Sequence, residues 1–324
     1  MNFDFLKDNH EYADIKTIGI PRALQYYRYG TLWREFFGAL GIECVLSEET
    51  NKDIVSAGVS RSIDEACYSL KVYLGHVASL IGKCDAVFIP RIAGERVRTK
   101  FCTRFEALYD TVATIFSGEG IKLVTMSHDW ESEFGIDEAY IELGMKFGRT
   151  KSEAKKAYSA ALKAAAQEEK SLARAQRAVL GGDSIKLLLA AHPYIAHDPY
   201  IGGQTEKFLR GLGCDVLYVD RADTDAAVKR SHAIVHTLPW LESREILGTI
   251  DLYKKRADGV ILMSAYPCCA DSMTNEYIIR TVKDIPILQI TMDVQDGTAG
   301  LETRLESFVD IIKFRENGRY GEKE

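Results

Sequence analysis

Short apolar runs alternate with longer amphipathic stretches, and the alternation occurs in each half of the chain. In the first half the runs Ile15–Pro21, Ile42–Leu46, Ala86–Pro90 and Lys122–Met126 read as strands. Between them, Leu32–Leu40, Ala66–Ile81 and Phe105–Ile115 carry apolar residues at helical spacing. In the second half Ile185–Ala191, Asp215–Val219, Gly259–Ser264 and Ile287–Thr291 read as strands. Helical patterns lie at Thr205–Leu212, Leu241–Lys254, Ser272–Val282 and Leu301–Ile312. Strands separated by helices imply βαβ units and parallel sheets.

The stretch Lys151–Val179 is rich in Ala, Lys, Glu and Gln and holds neither Pro nor Gly, so it predicts one long helix stopped by Gly181-Gly182. The expected architecture is α/β: two doubly wound parallel-sheet lobes, flavodoxin- or Rossmann-like, joined by that helix. The expected boundaries are 1–150 for the N-terminal lobe, 151–182 for the helical linker and 183–324 for the C-terminal lobe. The halves share a pattern, not residues, so this is no sequence repeat.

Composition narrows the classes. With 46% hydrophobic and 27% charged residues the 324-residue chain is an ordinary globular one, and a net charge of −6 gives no bulk basic surface for nucleic acid. No apolar run is long enough to span a membrane, and the polar start MNFDFLKDNHEYADIK lacks a signal core, so the expected location is the cytoplasm. There, seven cysteines do not read as a disulfide framework.

In open parallel sheets ligands bind beyond the carboxyl ends of the strands. Pro21-Arg22, Pro90-Arg91, His192-Pro193-Tyr194 and Tyr266-Pro267-Cys268-Cys269 all fall at such ends, on loops expected to face one cleft. Cys67, Cys102 and Cys268 stand where a helical pattern begins, near Asp271 or Ser272 in the last case. A helix N-terminus favours thiolate, the form that binds iron. Cys44, Cys84 and Cys214 lie in or at the start of strand patterns and read as small buried hydrophobes. There is no CxxC or other local metal motif, so spacing leaves two readings open. One is metal binding; the other is a catalytic cysteine with His192 or His76 as base. His76, inside a helical pattern, is more often a packing residue. No GxxxxGK[ST] and no GxGxxG after the first strand is present, which argues against nucleotide chemistry by either device.

At these positions the chain resembles the 2-hydroxyacyl-CoA dehydratase-like proteins and the acyl-CoA dehydratase activase-related proteins allied to them. The resemblance runs through Ile18-Gly19-Ile20-Pro21-Arg22-Ala23-Leu24, Glu65-Ala66-Cys67-Tyr68-Ser69-Leu70-Lys71 with Gly75-His76, and Val87-Phe88-Ile89-Pro90-Arg91-Ile92 followed by Cys102. It continues through His192-Pro193-Tyr194, Asp198-Pro199-Tyr200, Arg244-Glu245-Ile246-Leu247-Gly248, Tyr266-Pro267-Cys268-Cys269-Ala270-Asp271-Ser272, and Gly297-Thr298-Ala299-Gly300 leading into Thr303-Arg304-Leu305-Glu306. It implies one [4Fe–4S] cluster held by Cys67, Cys102 and Cys268 in the cleft between the lobes. The larger double-cubane clusters of some members need more thiolates than this chain places. Two departures stand out. Cys269 replaces a usual glycine and is either a further ligand or a bystander, and the Asp293-Val294-Gln295 segment lacks an acidic residue the family often has.

The resemblance further implies a two-component ATP-dependent reductase. Its partner would be an ATP-hydrolysing iron–sulfur activator of the actin/sugar-kinase/Hsp70 type, and this chain would be the electron-accepting, substrate-reducing component, a homodimer or heterodimer acting on a small molecule. Arg22, Arg91, Arg96, Arg98, His192 and Tyr194 are the candidate substrate or docking residues. The alternative is a non-catalytic electron relay or cluster-carrying accessory protein. A third reading is a metal-free binding protein with structural cysteines.

Overall fold

A computed structural model describes residues 10–131, 134–294 and 298–321, without the side chains of 298, 299 and 316–321. Parts of two motifs above, Gln295 and Gly297 with the side chains of Thr298 and Ala299, lie outside the described residues. The chain divides into two compact units. One runs to Asp64 and includes Leu70–Lys170 and Pro239–Leu241; the other takes Glu65–Ser69, Ser171–Leu238 and the chain from Glu242 on.

The first unit follows the order β1 (Thr17–Ile20), α1 (Tyr26–Ala39), β2 (Glu43–Leu46), α2 (Lys52–Val59), α3 (Tyr68–Leu80), β3 (Ala86–Phe88), β4 (Arg91–Ile92), α4 (Thr103–Glu106), α5 (Leu108–Ile115), β5 (Leu123–Val124), β6 (Ser127–His128), α6 (Ile136–Lys146) and α7 (Lys151–Val179). Its main sheet has the order β2-β1-β3-β5 with every pairing parallel; β4 and β6 form a separate parallel pair. The core is aromatic: Phe88 of β3 meets Phe37 at 5.1 Å and Trp33 at 5.3 Å between ring centroids, both edge-on. Such pairs add to an already large apolar burial.

The helix expected at Lys151–Val179 forms over those residues. Its start is a capping box: Glu153 N donates to Thr150 Oγ1 while Thr150 N donates to Glu153 Oε2 at 2.8 Å. Ala154, Ala157, Tyr158 and Ala161 form its buried stripe in the first unit. Beyond Lys170 it belongs to the second unit, where the Gln176 amide exchanges hydrogen bonds of 2.8 and 2.7 Å with the Tyr218 backbone.

The second unit continues with β7 (Ile185–Ala190), α8 (Pro193–Ala196), α9 (Gly203–Gly211), β8 (Cys214–Tyr218), α10 (Thr224–Ile234), α11 (Leu241–Tyr253), β9 (Gly259–Ala265), α12 (Cys269–Thr281), β10 (Ile287–Met292) and α13 (Thr298–Gly321). Its sheet has the order β10-β9-β7-β8, again all parallel. All of β9 and all but the first residue of β7 are buried. A parallel sheet is covered by helices on both faces, which is why these strands are unbroken apolar runs rather than alternating ones. Leu188, Leu217, Ile246, Ile250, Leu262 and Ile278 form the core on one side.

Several expectations shift. The pattern over Phe105–Ile115 breaks at Ala107 into α4 and α5, and the helix after Cys268 begins at once, at Cys269. Cys84 precedes β3 instead of opening it. The helices α2, α6 and α10 were not expected. Two are started by side-chain caps: Asn51 Oδ1 accepts from Asp53 N and Ile54 N, and Asp223 from Ala226 N.

Candidate functional site

In the second unit the chain leaves β7 toward β8 on one side and later returns to place β9 and β10 on the other. The reversal falls between β7 and β9, and the crevice at their carboxyl ends is where ligands bind in such sheets. His192 follows β7, and Cys268 follows β9 after a cis Tyr266–Pro267 bond. Cys268 is the residue ahead of α12, and Asp271 lies in that helix's first turn, where the helix dipole favours a carboxylate. Glu242 comes from the first turn of α11.

These four side chains converge. His192 Nδ1 donates to Glu242 Oε2 at 2.7 Å, and Nε2 to Asp271 Oδ1 at 2.6 Å. His192, Glu242 and Asp271 are all buried. The donor atoms of His192, Cys268 and Asp271 lie within 4.8 Å of one another. Burial by itself would drive the imidazole neutral; Asp271 first, then Glu242, outweigh it and hold His192 well above its ordinary value. The Cys268 thiol is pushed up by burial, against a lowering contribution from His192. Asp271 Oδ2 is buried with no hydrogen-bond partner. Tyr194 stacks on the His192 ring, centroids 5.1 Å apart and planes 9° apart, which fixes the ring's plane.

Of the other cysteines singled out by the sequence, Cys67 belongs to the second unit and stands directly ahead of α3. Its neighbour Tyr68 donates its backbone N–H to Tyr266 O at 2.8 Å, which draws the Cys67 segment to the turn carrying Cys268. Cys102, in the first unit, stands directly ahead of α4. Cys269 is exposed as the first residue of α12. Burial raises the thiols of Cys44, Cys84 and Cys214, that of Cys44 to about 11; Cys214 is buried as expected, whereas Cys44 and Cys84 are only half-buried. His76 is fully buried between Ser47 Oγ at 2.8 Å and Thr50 Oγ1 at 2.9 Å, the packing role expected of it.

The basic candidates divide. Arg22 pairs with Glu49 at 3.2 Å. Arg91 donates to Glu106 O at 2.9 Å and lies 3.5 Å from Asp110. Lys100, in the same basic stretch, is held by Asp129 and Glu131. Arg96 is half-buried, and Arg98 is exposed with a left-handed φ of 62°. The structure thus brings His192 and Tyr194 to Cys268 and ties Arg22 and Arg91 to carboxylates elsewhere. Sequence reasoning missed Glu242, which lies far along the chain and follows no motif. Asp271 was in view only as part of the Cys268 stretch; its spacing of three from Cys268, one helical turn, was the available signal.

Residues 17–221 match the family model described as "CoA enzyme activase uncharacterised domain (DUF2229)". That is more than half of the chain. Comparison with curated proteins gave no match. Among solved structures, the chain is similar to the C-terminal domain of glucosamine-fructose-6-phosphate aminotransferase from Francisella tularensis, with 11% identity over 97% of this chain and 88% of that one and a TM-score of 0.25. A likeness that slight carries no argument about chemistry. No helix among the described residues is long and apolar enough to cross a membrane.

Proposed function

The chain belongs to the CoA enzyme activase family, and on that premise we propose that it is the cluster-bearing, electron-accepting component of a two-component, ATP-dependent system of the 2-hydroxyacyl-CoA dehydratase type. The observation that carries the reading is the placement of Cys67, Cys102 and Cys268, each on the residue directly ahead of a helix. Backbone N–H groups at a helix start favour thiolate, a tendency that burial outweighs at Cys268 while it stands alone, and thiolates are the ligands of iron–sulfur clusters. Three cysteines are the donor type such a cluster would take, and Cys268, Cys102 and Cys67 are the residues that would hold it. When bound, the cluster supplies a one-electron centre. Around it, this chain's residues hold charge and orientation: Glu242 and Asp271 fix the His192 imidazole against Cys268, and Tyr194 fixes its plane.

In this reading the partner is an ATP-hydrolysing activator, and the substrate is an acyl thioester or a related small molecule. The test is alanine replacement of each cysteine, with iron per chain measured after anaerobic reconstitution. The Cys67, Cys102 and Cys268 variants lose iron, while those at Cys44, Cys84 and Cys214 keep it. Unchanged iron in any of the first three removes that residue from the ligand set. The non-catalytic relay is separated by supplying activator, reductant and ATP: a relay is reduced but turns over no acyl thioester.

A further inference from the structure

We propose that the cluster-free chain binds one divalent transition-metal ion, of the kind that seeks nitrogen and sulfur donors, at His192 Nε2, Cys268 Sγ and Asp271, with Glu242 as the group that orients the histidine. The inference is independent of the cluster reading. It needs one of the three cysteines, and all its residues lie in the second unit.

Three observations carry it. First, the donor atoms lie within 4.8 Å of one another, close enough to converge on a single ion. Ligands to separate irons of a cubane stand further apart. Imidazole, thiolate and carboxylate form a three-donor set that leaves a fourth position open, the arrangement of catalytic zinc sites. Second, Glu242 accepts from His192 Nδ1 at 2.7 Å. A metal-ligating histidine almost always gives its other ring N–H to a carboxylate or carbonyl, which fixes the tautomer that presents the free nitrogen to the ion. Third, Asp271 is 3% exposed, yet its Oδ2 has no partner. Buried charges are paired or coordinate metals, and two buried carboxylates here share one imidazole. A dication facing the Asp271 carboxylate and the Cys268 thiolate balances them, with Glu242 still bound to Nδ1. The place is also the expected one, the crevice where the strand order reverses. Metal entry replaces the hydrogen bond from Nε2 to Asp271 Oδ1 and releases the Nε2 and Cys268 protons to solvent. Because the ion and the cluster would share the Cys268 sulfur, each excludes the other.

The test uses the full chain, purified anaerobically and stripped of metal, titrated with Co²⁺ as a spectroscopic probe and with Zn²⁺ in competition. Expected is one Co²⁺ per chain with a thiolate-to-cobalt charge-transfer band and tetrahedral d–d bands, displaced by Zn²⁺. Cys268→Ser abolishes the charge-transfer band. His192→Gln and Asp271→Asn weaken binding more than about 100-fold, and Glu242→Gln weakens it about 10–100-fold, the usual cost of losing an orienting partner. The spectrum of the unmodified chain is decisive even where a variant fails to fold: no thiolate–cobalt band at one equivalent overturns the proposal. So does Co²⁺ affinity unchanged in the folded His192→Gln and Asp271→Asn variants. Cys102→Ala separates the two readings. It is expected to bind Co²⁺ normally while failing to take up the cluster. Loss of Co²⁺ binding in it overturns the single-ion site, whereas an intact cluster in it overturns the ligand set of the cluster and leaves the single-ion site standing.

Discussion

At the scale of single residues, two buried histidines show how surroundings set a role. His76 and His192 are both nearly inaccessible, but His76 faces two hydroxyls and His192 two carboxylates. Desolvation therefore prevails at His76 and pushes its pKa down to about 3, with Arg22 adding to the effect. The sign of the linkage follows. The folded state binds the proton more weakly than the unfolded chain, so His76 destabilises the fold as pH drops from 6.5 toward 3. Wild type is expected to lose stability relative to His76→Gln across that window, at up to about 1.4 kcal/mol per pH unit. Urea unfolding of both proteins at several pH values measures it; parallel pH dependence in the two would remove His76 as the source. Arg244 is a second buried cation, 1% exposed, whose guanidinium donates to Val235 O and His236 O at 3.0 Å each and closes the end of α10. Hydrogen bonds made by a charged group are worth about 1.5–3 kcal/mol, so Arg244→Met is expected to lower the unfolding free energy by up to that order, read as a lower urea midpoint.

At the scale of elements, close approach between helices decides where glycine is needed. A Cβ on Gly248 of α11 would lie 1.8 Å from Ala227 O of α10. Gly58 and Gly75 bring α2 and α3 equally close, with clashes at 1.7 Å on Lys71 O and 1.9 Å on Ile54 O. Backbone cannot yield as a flexible side chain does, so the helices must part. Gly248→Ala and Gly75→Ala should each cost about 1–3 kcal/mol, the range for overpacking. Gly38 in α1 is the control, with nothing within 4 Å of its added Cβ. There alanine should be neutral or stabilise by up to about 1 kcal/mol, since it is the better helix former. Chemical denaturation of the three variants reads the contrast, and equal effects at all three sites would defeat the close-approach argument. The parallel strands and the longest helix were legible because each rests on a local rule, a continuous apolar run or a capped stretch of strong helix formers. The split of α4 from α5 was not, because Ala107 gives no local signal of a break.

At the scale of the whole molecule, the proposed electron-accepting role calls for a surface that meets the activator. Thiolate-ligated clusters reach potentials of about −700 mV, beyond ordinary cellular donors, which is why ATP would be needed. Within the basic stretch near Cys102, the exposed Arg98 is the side chain a docking partner would reach most readily, with the half-buried Arg96 two positions before it. Charge reversal of both, Arg96→Glu with Arg98→Glu, is expected to slow ATP-dependent reduction several-fold while leaving cluster EPR and absorbance unchanged. Reduction followed with and without ATP and activator checks it. Full reduction by a mild donor without either would defeat the two-component role. The parallel α/β class and the cysteines at helix starts were in the sequence, because periodicity and junction position are properties of neighbouring residues; the activase-related family was legible only as a resemblance carried by particular residue motifs. The meeting of His192, Glu242, Cys268 and Asp271 was not. It depends on strand order, which places the ends of β7 and β9 side by side, and on α11, which delivers Glu242 fifty positions beyond its histidine. Strand order is set by which long-range pairing buries the most apolar surface, and no local pattern along the chain records that choice.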